Sequence, residues 1–158
     1  YFGLRMEIKN RTRNINLSTR KYTVAQKEIF YAHLGDNIGS EQNGRRPVII
    51  LQNNTGNIKG NITIIAPVTT HQKKVKWDDA KRKYYIEIVK DGAIKNKYLD
   101  FYEIPLRLEG NSNGIYGFVN VMHIRAIDRK RIDSKCLGIA TDKCLDNIIK
   151  ATNKNLSF

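Results

Sequence analysis

Residues 39–52 read Gly39-Ser40-Glu41-Gln42-Asn43-Gly44-Arg45-Arg46-Pro47-Val48-Ile49-Ile50-Leu51-Gln52. A polar loop closed by glycines runs into a paired arginine, a proline and an unbroken apolar stretch. Residues 48–51 are apolar and few enough to form a buried strand. Pro47 fixes its own φ and biases Arg46 toward an extended backbone, so Arg46 is expected where a flexible loop becomes a rigid strand. A planar, always-charged, five-donor group held at a strand mouth suits a phosphate. The plainer expectation for an arginine pair is solvated surface charge, and for Arg45 it is the one adopted.

Outward from this stretch the texture stays that of strands and turns. Residues 28–34 (EIFYAHL) are rich in β-branched and aromatic types and should form a core strand. Residues 53–60 look like a turn-rich loop, and residues 61–68 (NITIIAPV) like a strand closed by Pro67. Residues 84–90 (YYIEIVK) alternate, and Asp91-Gly92 is a hairpin signal into residues 93–101. A second hairpin signal lies at 109–114, before a last long strand expected over 115–125. Helix signals are few and late. Asp128 can cap a short turn through Arg131, and Thr141 can cap a helix whose apolar face is Leu145, Ile148 and Ile149. That helix should cover one open side of the sheet. The pattern predicts a mainly β fold, a small and highly curved barrel or sandwich with a C-terminal helix.

The chain has 158 residues, enough for one domain with a respectable core. Residues 1–26 carry Arg5, Lys9, Arg11, Arg13, Arg20 and Lys21 among polar residues and are assigned as a basic N-terminal extension, with the main domain over 27–158. Such an arm is either a loosely ordered tail or an electrostatic contact for a phosphate backbone or an acidic partner. There is no apolar run of about 18 residues to span a bilayer and no apolar secretion segment, so a cytoplasmic location without membrane contact is expected. Cys136 and Cys144 form no Cys-x-x-Cys pair and should pack as small hydrophobes. His33, His71 and His123 lack ligand spacing, so neither a metal nor a cofactor is expected. The formal charge of +13 attracts polyanions, among which nucleic acid is favoured.

Taken together, residues 28–34, 39–53, 64–70 and 123–131 resemble the MazF/PemK toxin family, the ribosome-independent mRNA interferases of bacterial toxin–antitoxin pairs. Gly-Ser-Glu-Gln, a glycine, and Arg-Pro leading into an apolar strand is the specific part. The resemblance spans roughly residues 27–150, with a long non-matching stretch inside. It implies an SH3-like barrel of the MazF/CcdB type, usually a homodimer whose interface forms a groove. It also implies that the arginine before the proline and the threonine after the Ala-Pro-Val strand end, here Arg46 and Thr69, are the main catalytic residues. The implied activity is sequence-selective, metal-independent cleavage of single-stranded mRNA to 2′,3′-cyclic phosphate and 5′-hydroxyl ends, restrained by an acidic antitoxin.

The chemistry asks for these residue types on its own terms. Cleavage through the neighbouring 2′-hydroxyl requires removing that proton, stabilising a crowded phosphorane and protonating the leaving 5′-oxygen. Arg46 supplies charge and two parallel hydrogen bonds, and Thr69 a hydroxyl that donates to phosphate or relays a proton. Ser40, Glu41 and Gln42 in the loop, with Thr70, His71, Lys73, Lys74, Trp77 and His123 around the expected groove, are the candidate RNA contacts. Two features depart from the family. Met122 stands where some members carry an acidic residue, and His123 where a glutamine is common, so the general base is open. The chain is also long between Thr70 and Ile115, which implies an extra β-hairpin insertion. Its Tyr84 and Tyr85 are expected on a packed face, whereas Trp77 beside a lysine run is a candidate for stacking on a base. A non-catalytic RNA-binding module and a gyrase-poisoning toxin on the same fold are the alternatives. Met122 keeps the first open, and the Gly-Ser-Glu-Gln loop with Arg-Pro argues against the second.

Overall fold

The structure, a computed structural model, describes residues 24–36, 39, 44–111 and 113–157. The basic arm therefore falls outside the described residues up to residue 23, as do Ser40, Glu41 and Gln42. Ten strands and two α-helices follow in chain order: β1 (Glu28–His33), β2 (Arg45–Ile50), α1 (Asn54–Lys59), β3 (Ile62–Thr70), β4 (Lys76–Asp78), β5 (Lys83–Lys90), β6 (Ala93–Tyr98), β7 (Glu103–Pro105), β8 (Gly117–Asn120), β9 (Arg125–Asp128), β10 (Ile132–Ile139) and α2 (Asp142–Leu156). Seven strands form one antiparallel sheet in the order β10-β1-β2-β3-β8-β7, with β9 also pairing to β3.

Strand alternation sorts the apolar residues onto two faces of this sheet. On the inner face Phe30, Ala32, Leu34, Val48, Ile50, Ile65 and Ile127 meet one another, with Ile132 and Cys136 against them. Five strands, β1, β2, β3, β9 and β10, thus curl around one core. Burial pushes the Cys136 thiol up to about 11, with the Glu28 carboxylate adding to the effect, so it stays protonated at neutral pH. On the outer face Ile29, Ile49, Ala66, Val68 and Val119 pack with Cys144, Ile148 and Ala151 of α2. The far edges of the sheet meet through a single bridge, Leu108 to Ala140, so the ring is drawn together at one end and not laddered throughout. The class is the mainly β, SH3-like barrel expected, with its C-terminal helix.

Several local expectations change. Residues 53–60 are not loop: α1 forms despite its glycine, capped by the Asn53 side chain on the Gly56 amide. Asn57, wholly buried, fastens it by donating to the Gln52 carbonyl and accepting from the Thr63 hydroxyl at 2.7 Å. Pro67 does not close β3, which runs on to Thr70. On the side away from β2, Pro67 falls between the last pairing to β9 at Ile65 and the first to β8 at Val68, where a missing N–H costs least. The expected strand over 115–125 is broken into β8 and β9 by a 3-10 turn, Val121–His123, capped by Asn120. β10 was not expected at all. Thr141 does cap α2 and Asp128 does cap a 3-10 turn, Arg129–Arg131, but the buried helix positions are Cys144, Ile148 and Ala151, with Ile149 exposed.

The insertion is a three-stranded antiparallel sheet, β4-β5-β6, and so one strand more than the hairpin expected. Asp91 and Gly92 turn it with positive φ at both positions, the mirror-image turn that matches strand twist. Val75, Ile86 and Leu99 from this segment bury against Phe118 of β8, with Tyr84 and Ile88 alongside. Tyr84 is on the packed face as expected, but Tyr85 alternates to the other side, where its ring meets Tyr98 at 5.6 Å.

Candidate active site at the barrel mouth

Four strands leave the inner core at the same end of the barrel. The β2–β3 register is Val48↔Pro67, Ile49↔Ala66 and Ile50↔Ile65. Continued by two positions it sets Arg46 opposite Thr69, both on the inner face, beyond Val48 and Pro67. Arg46 pairs with Ala32 on its other side and Thr69 with Phe118 on its own. Both are half-buried. Alternation thus puts the sequence-predicted pair on one face of neighbouring strands, two positions beyond the end of their ladder.

The position of Thr69 depends on a glycine. A Cβ built at Gly117 would lie 2.7 Å from the Thr69 carbonyl oxygen, a backbone atom that cannot swing aside. β8 approaches β3 here more closely than any side chain permits. His71 follows Thr69 on the same face, and its amide donates to the Tyr116 carbonyl at 2.7 Å, which extends the ladder. Its Nδ1 is shut off from solvent and has no hydrogen-bond partner among the described residues. His123 ends the 3-10 turn at this same end of the barrel and is half-buried. Met122 is 57% exposed and brings no carboxylate, as the sequence implied.

The outer face of the same strand ends is built differently. Arg45 is exposed, as expected, but it is not without partners. It donates through Nε and Nη2 to one oxygen of Asp133 on β10, at 3.1 and 2.7 Å, and its guanidinium lies 4.0 Å over the Tyr31 ring. His33 Nε2 meets the other Asp133 oxygen at 3.1 Å. The Arg45 hydrogen bonds hold the Asp133 carboxyl below the usual carboxylate range. Thr70 also points to this side. With Tyr31, Tyr116, Asn111 and Lys135 it lines a cavity of about 100 Å³ whose base is apolar.

The remaining predicted contacts sit on or beside the insertion. Lys73 and Lys76 converge on Glu87, at 3.7 and 2.8 Å, so Lys73 is committed to an ion pair at the surface. The aliphatic stem of Lys74 covers Gly114, whose φ of +111° favours glycine. Trp77 is 46% exposed, with its indole N–H on Asp79 at 2.8 Å and its ring edge-on to Tyr84 at 4.7 Å. It is a fixed aromatic with one side open. Among the described residues, no group of three or more His, Cys, Asp or Glu side chains gathers as a metal site. No helix among them is long and apolar enough to cross a membrane.

Comparison with known proteins agrees with this fold. A family model described as PemK-like, MazF-like toxin of type II toxin–antitoxin system matches residues 25–156. Among solved structures, MazF from Deinococcus radiodurans superposes with a TM-score of 0.60 at 20% identity, over 87% of this chain and 99% of that one. An endoribonuclease from a mycobacterial species, in complex with its cognate antitoxin, gives 0.53 at 15% identity, over 86% and 99%. Mycobacterium tuberculosis toxin MazF-mt6 gives 0.51 at 16%, over 83% and 99%. At these identities the structures speak for the fold alone.

Proposed function

This chain belongs to the PemK-like, MazF-like toxin family of type II toxin–antitoxin systems, and we propose that it acts as the toxin by cleaving single-stranded RNA without a metal. The observation that carries this reading is that Arg46 and Thr69 lie on the same face of neighbouring strands, two positions beyond the last β2–β3 pair, Val48 with Pro67. A scissile phosphate seated there meets a guanidinium that neutralises the extra negative charge of the phosphorane and a hydroxyl that donates to a non-bridging oxygen. Both groups bond more strongly to the phosphorane than to the ground-state diester, which is what accelerates the step. The 2′-oxygen attacks the phosphorus as its proton departs. The bond to the 5′-oxygen breaks as that oxygen takes a proton, leaving a 2′,3′-cyclic phosphate and a 5′-hydroxyl. His71, two residues beyond Thr69, and His123, in the turn before β9, are the imidazoles assigned to proton transfer, in place of the carboxylate that Met122 lacks.

The surroundings suit a single strand. The cavity beside Tyr31, Tyr116, Asn111 and Thr70 offers an apolar slot with polar edges for an unstacked base, and Trp77 offers a platform for another. Ser40, Glu41 and Gln42 complete the proposed RNA contacts from the loop before β2. A net charge of +13 supplies the attraction for RNA and for an acidic antitoxin, and the mycobacterial endoribonuclease was solved with its cognate antitoxin. A homodimer completes the groove in this reading.

Purified protein incubated with a long single-stranded RNA in EDTA should yield discrete fragments with cyclic-phosphate ends. Arg46→Ala and Thr69→Ala should each lower the cleavage rate by about a hundredfold or more with little change in melting temperature. Binding without cleavage would leave only the non-catalytic module, and undiminished cleavage in both variants would place the chemistry elsewhere.

A further inference from the structure

Arg125 is an arginine to which neither the composition nor the loop before β2 draws attention. It opens β9 and pairs with Ile65, so it projects on the inner face, two alternations below Thr69 on the strand beside it. β9 runs antiparallel to β3, and its Arg125 end is the end that leaves the core where Arg46 and Thr69 do. Its guanidinium spans the mouth, because Nη1 lies 3.5 Å from the Leu34 carbonyl at the end of β1. Between β9 and β1 in the curled sheet stand β3 and β2, which carry Thr69 and Arg46 at this level. A side chain that crosses from β9 to β1 at the mouth passes over the ground these two residues flank.

The bonding of Arg125 is thin for its setting. It is half-buried, its one hydrogen bond is at the limiting length, and no carboxylate lies within 4.0 Å among the described residues. Arg45, on the outer face of the same barrel end, shows the contrast with its doubly bonded Asp133. A partly desolvated guanidinium without a counter-charge is costly unless an anion arrives to use its remaining donors.

We propose that Arg125 is a second phosphate-binding arginine of this site, one that grips the RNA backbone beside the phosphate held by Arg46 and Thr69. The assignment rests on the RNA-cleaving reading above and adds a residue to it. Arg46 then meets the reacting phosphate and Arg125 positions its neighbour, so that the loss of Arg125 weakens binding of substrate and non-reacting analogue alike.

The test uses a 2′-O-methylated RNA oligomer, which lacks the nucleophilic hydroxyl, bound to the full chain and followed by fluorescence anisotropy from low to high salt. Arg125→Gln should raise Kd about tenfold or more, and lower the slope of log K against log salt by about 0.7, the increment for one contact to a single strand. Arg125→Lys should restore the slope. In the wild-type protein the Arg125 side-chain Nε–H resonance should shift on titration with the oligomer, a readout that needs no variant to fold beyond the one used for assignment. An unmoved resonance, or a wild-type slope in folded Arg125→Gln, overturns the proposal. A wild-type protein that binds the oligomer but never cleaves unmodified RNA sinks the catalytic reading, while the slope still decides Arg125. Failure to bind the oligomer at all removes both.

Discussion

The two faces of one barrel end make different use of the same residue types. On the outer face Arg45 and His33 meet the two oxygens of Asp133, and the Arg45 guanidinium lies over the Tyr31 ring. On the inner face Arg125 has only a distant carbonyl and His71 Nδ1 no partner among the described residues. Sequence neighbours are divided between them, Arg45 from Arg46 and Thr70 from Thr69, by nothing more than the period of two along a strand. The Arg45–Asp133–His33 group is closed on itself, whereas Arg125 and His71 Nδ1 keep unused bonding capacity among the described residues.

Exchanging the damage between the faces is the severest way to break this contrast. Arg45→Ala should leave the cleavage rate within a few-fold of wild type, whereas Arg46→Ala loses about two to three orders of magnitude, read from initial rates on one RNA. Equal losses would mean that the faces are not functionally distinct. Gly117→Ala sharpens it next. The added methyl meets the Thr69 carbonyl, so β3 or β8 must yield, lowering stability by about 1–3 kcal/mol in a denaturant melt and lowering cleavage through displaced Thr69. A stability loss with full activity would separate Thr69 from the chemistry. Trp77→Ala should weaken the oligomer by about tenfold, with cleavage at saturating RNA nearly unchanged, if its open side receives a base.

The smallest effect belongs to the closed face. Arg45 holds the Asp133 carboxyl low, so the pair contributes stability above the unfolded aspartate pKa of about 4 and loses it as pH falls through the folded value. Asp133→Asn should cost up to about 1 kcal/mol at pH 7, since the pair is partly exposed, and the difference from wild type should shrink in melts taken at successively lower pH below about 4. A difference that does not change with pH would assign the loss to packing.

The sequence reader sees those elements whose signals are local. Asp91-Gly92, the Asp128 and Thr141 caps and the Arg-Pro entry to β2 each carry their instruction within a few residues, and each lands where expected. β10 hides because it is half-buried, with its pairing to β1 interrupted by register shifts, so neither a clean alternation nor an apolar run marks it. α1 hides because its stability lies in Asn57, whose partners Thr63 and Gln52 are legible only once the chain is folded. The break at the Val121–His123 turn is set by Asn120 inside an otherwise strand-like run. Within the site, Arg46 and Thr69 are marked by motif, while Arg125, though inside the matching stretch 123–131, is given no role until the curl that brings β9 round to β1 is known.

The pairing of β1 with β10 has a consequence for when this protein becomes dangerous to its maker. Ala32 finds Ile132, and His33 finds Asp133, across 100 residues of chain. The mouth also needs Arg125, from the strand just before, so neither face of it can assemble while the C-terminal quarter is unmade. Contacts this distant in sequence form late and slowly, after the closure of a long loop has been overcome. In the proposed reading, a nascent chain emerging N-terminus first carries Arg46 and Thr69 before the strands that complete the mouth exist, a delay written into the topology.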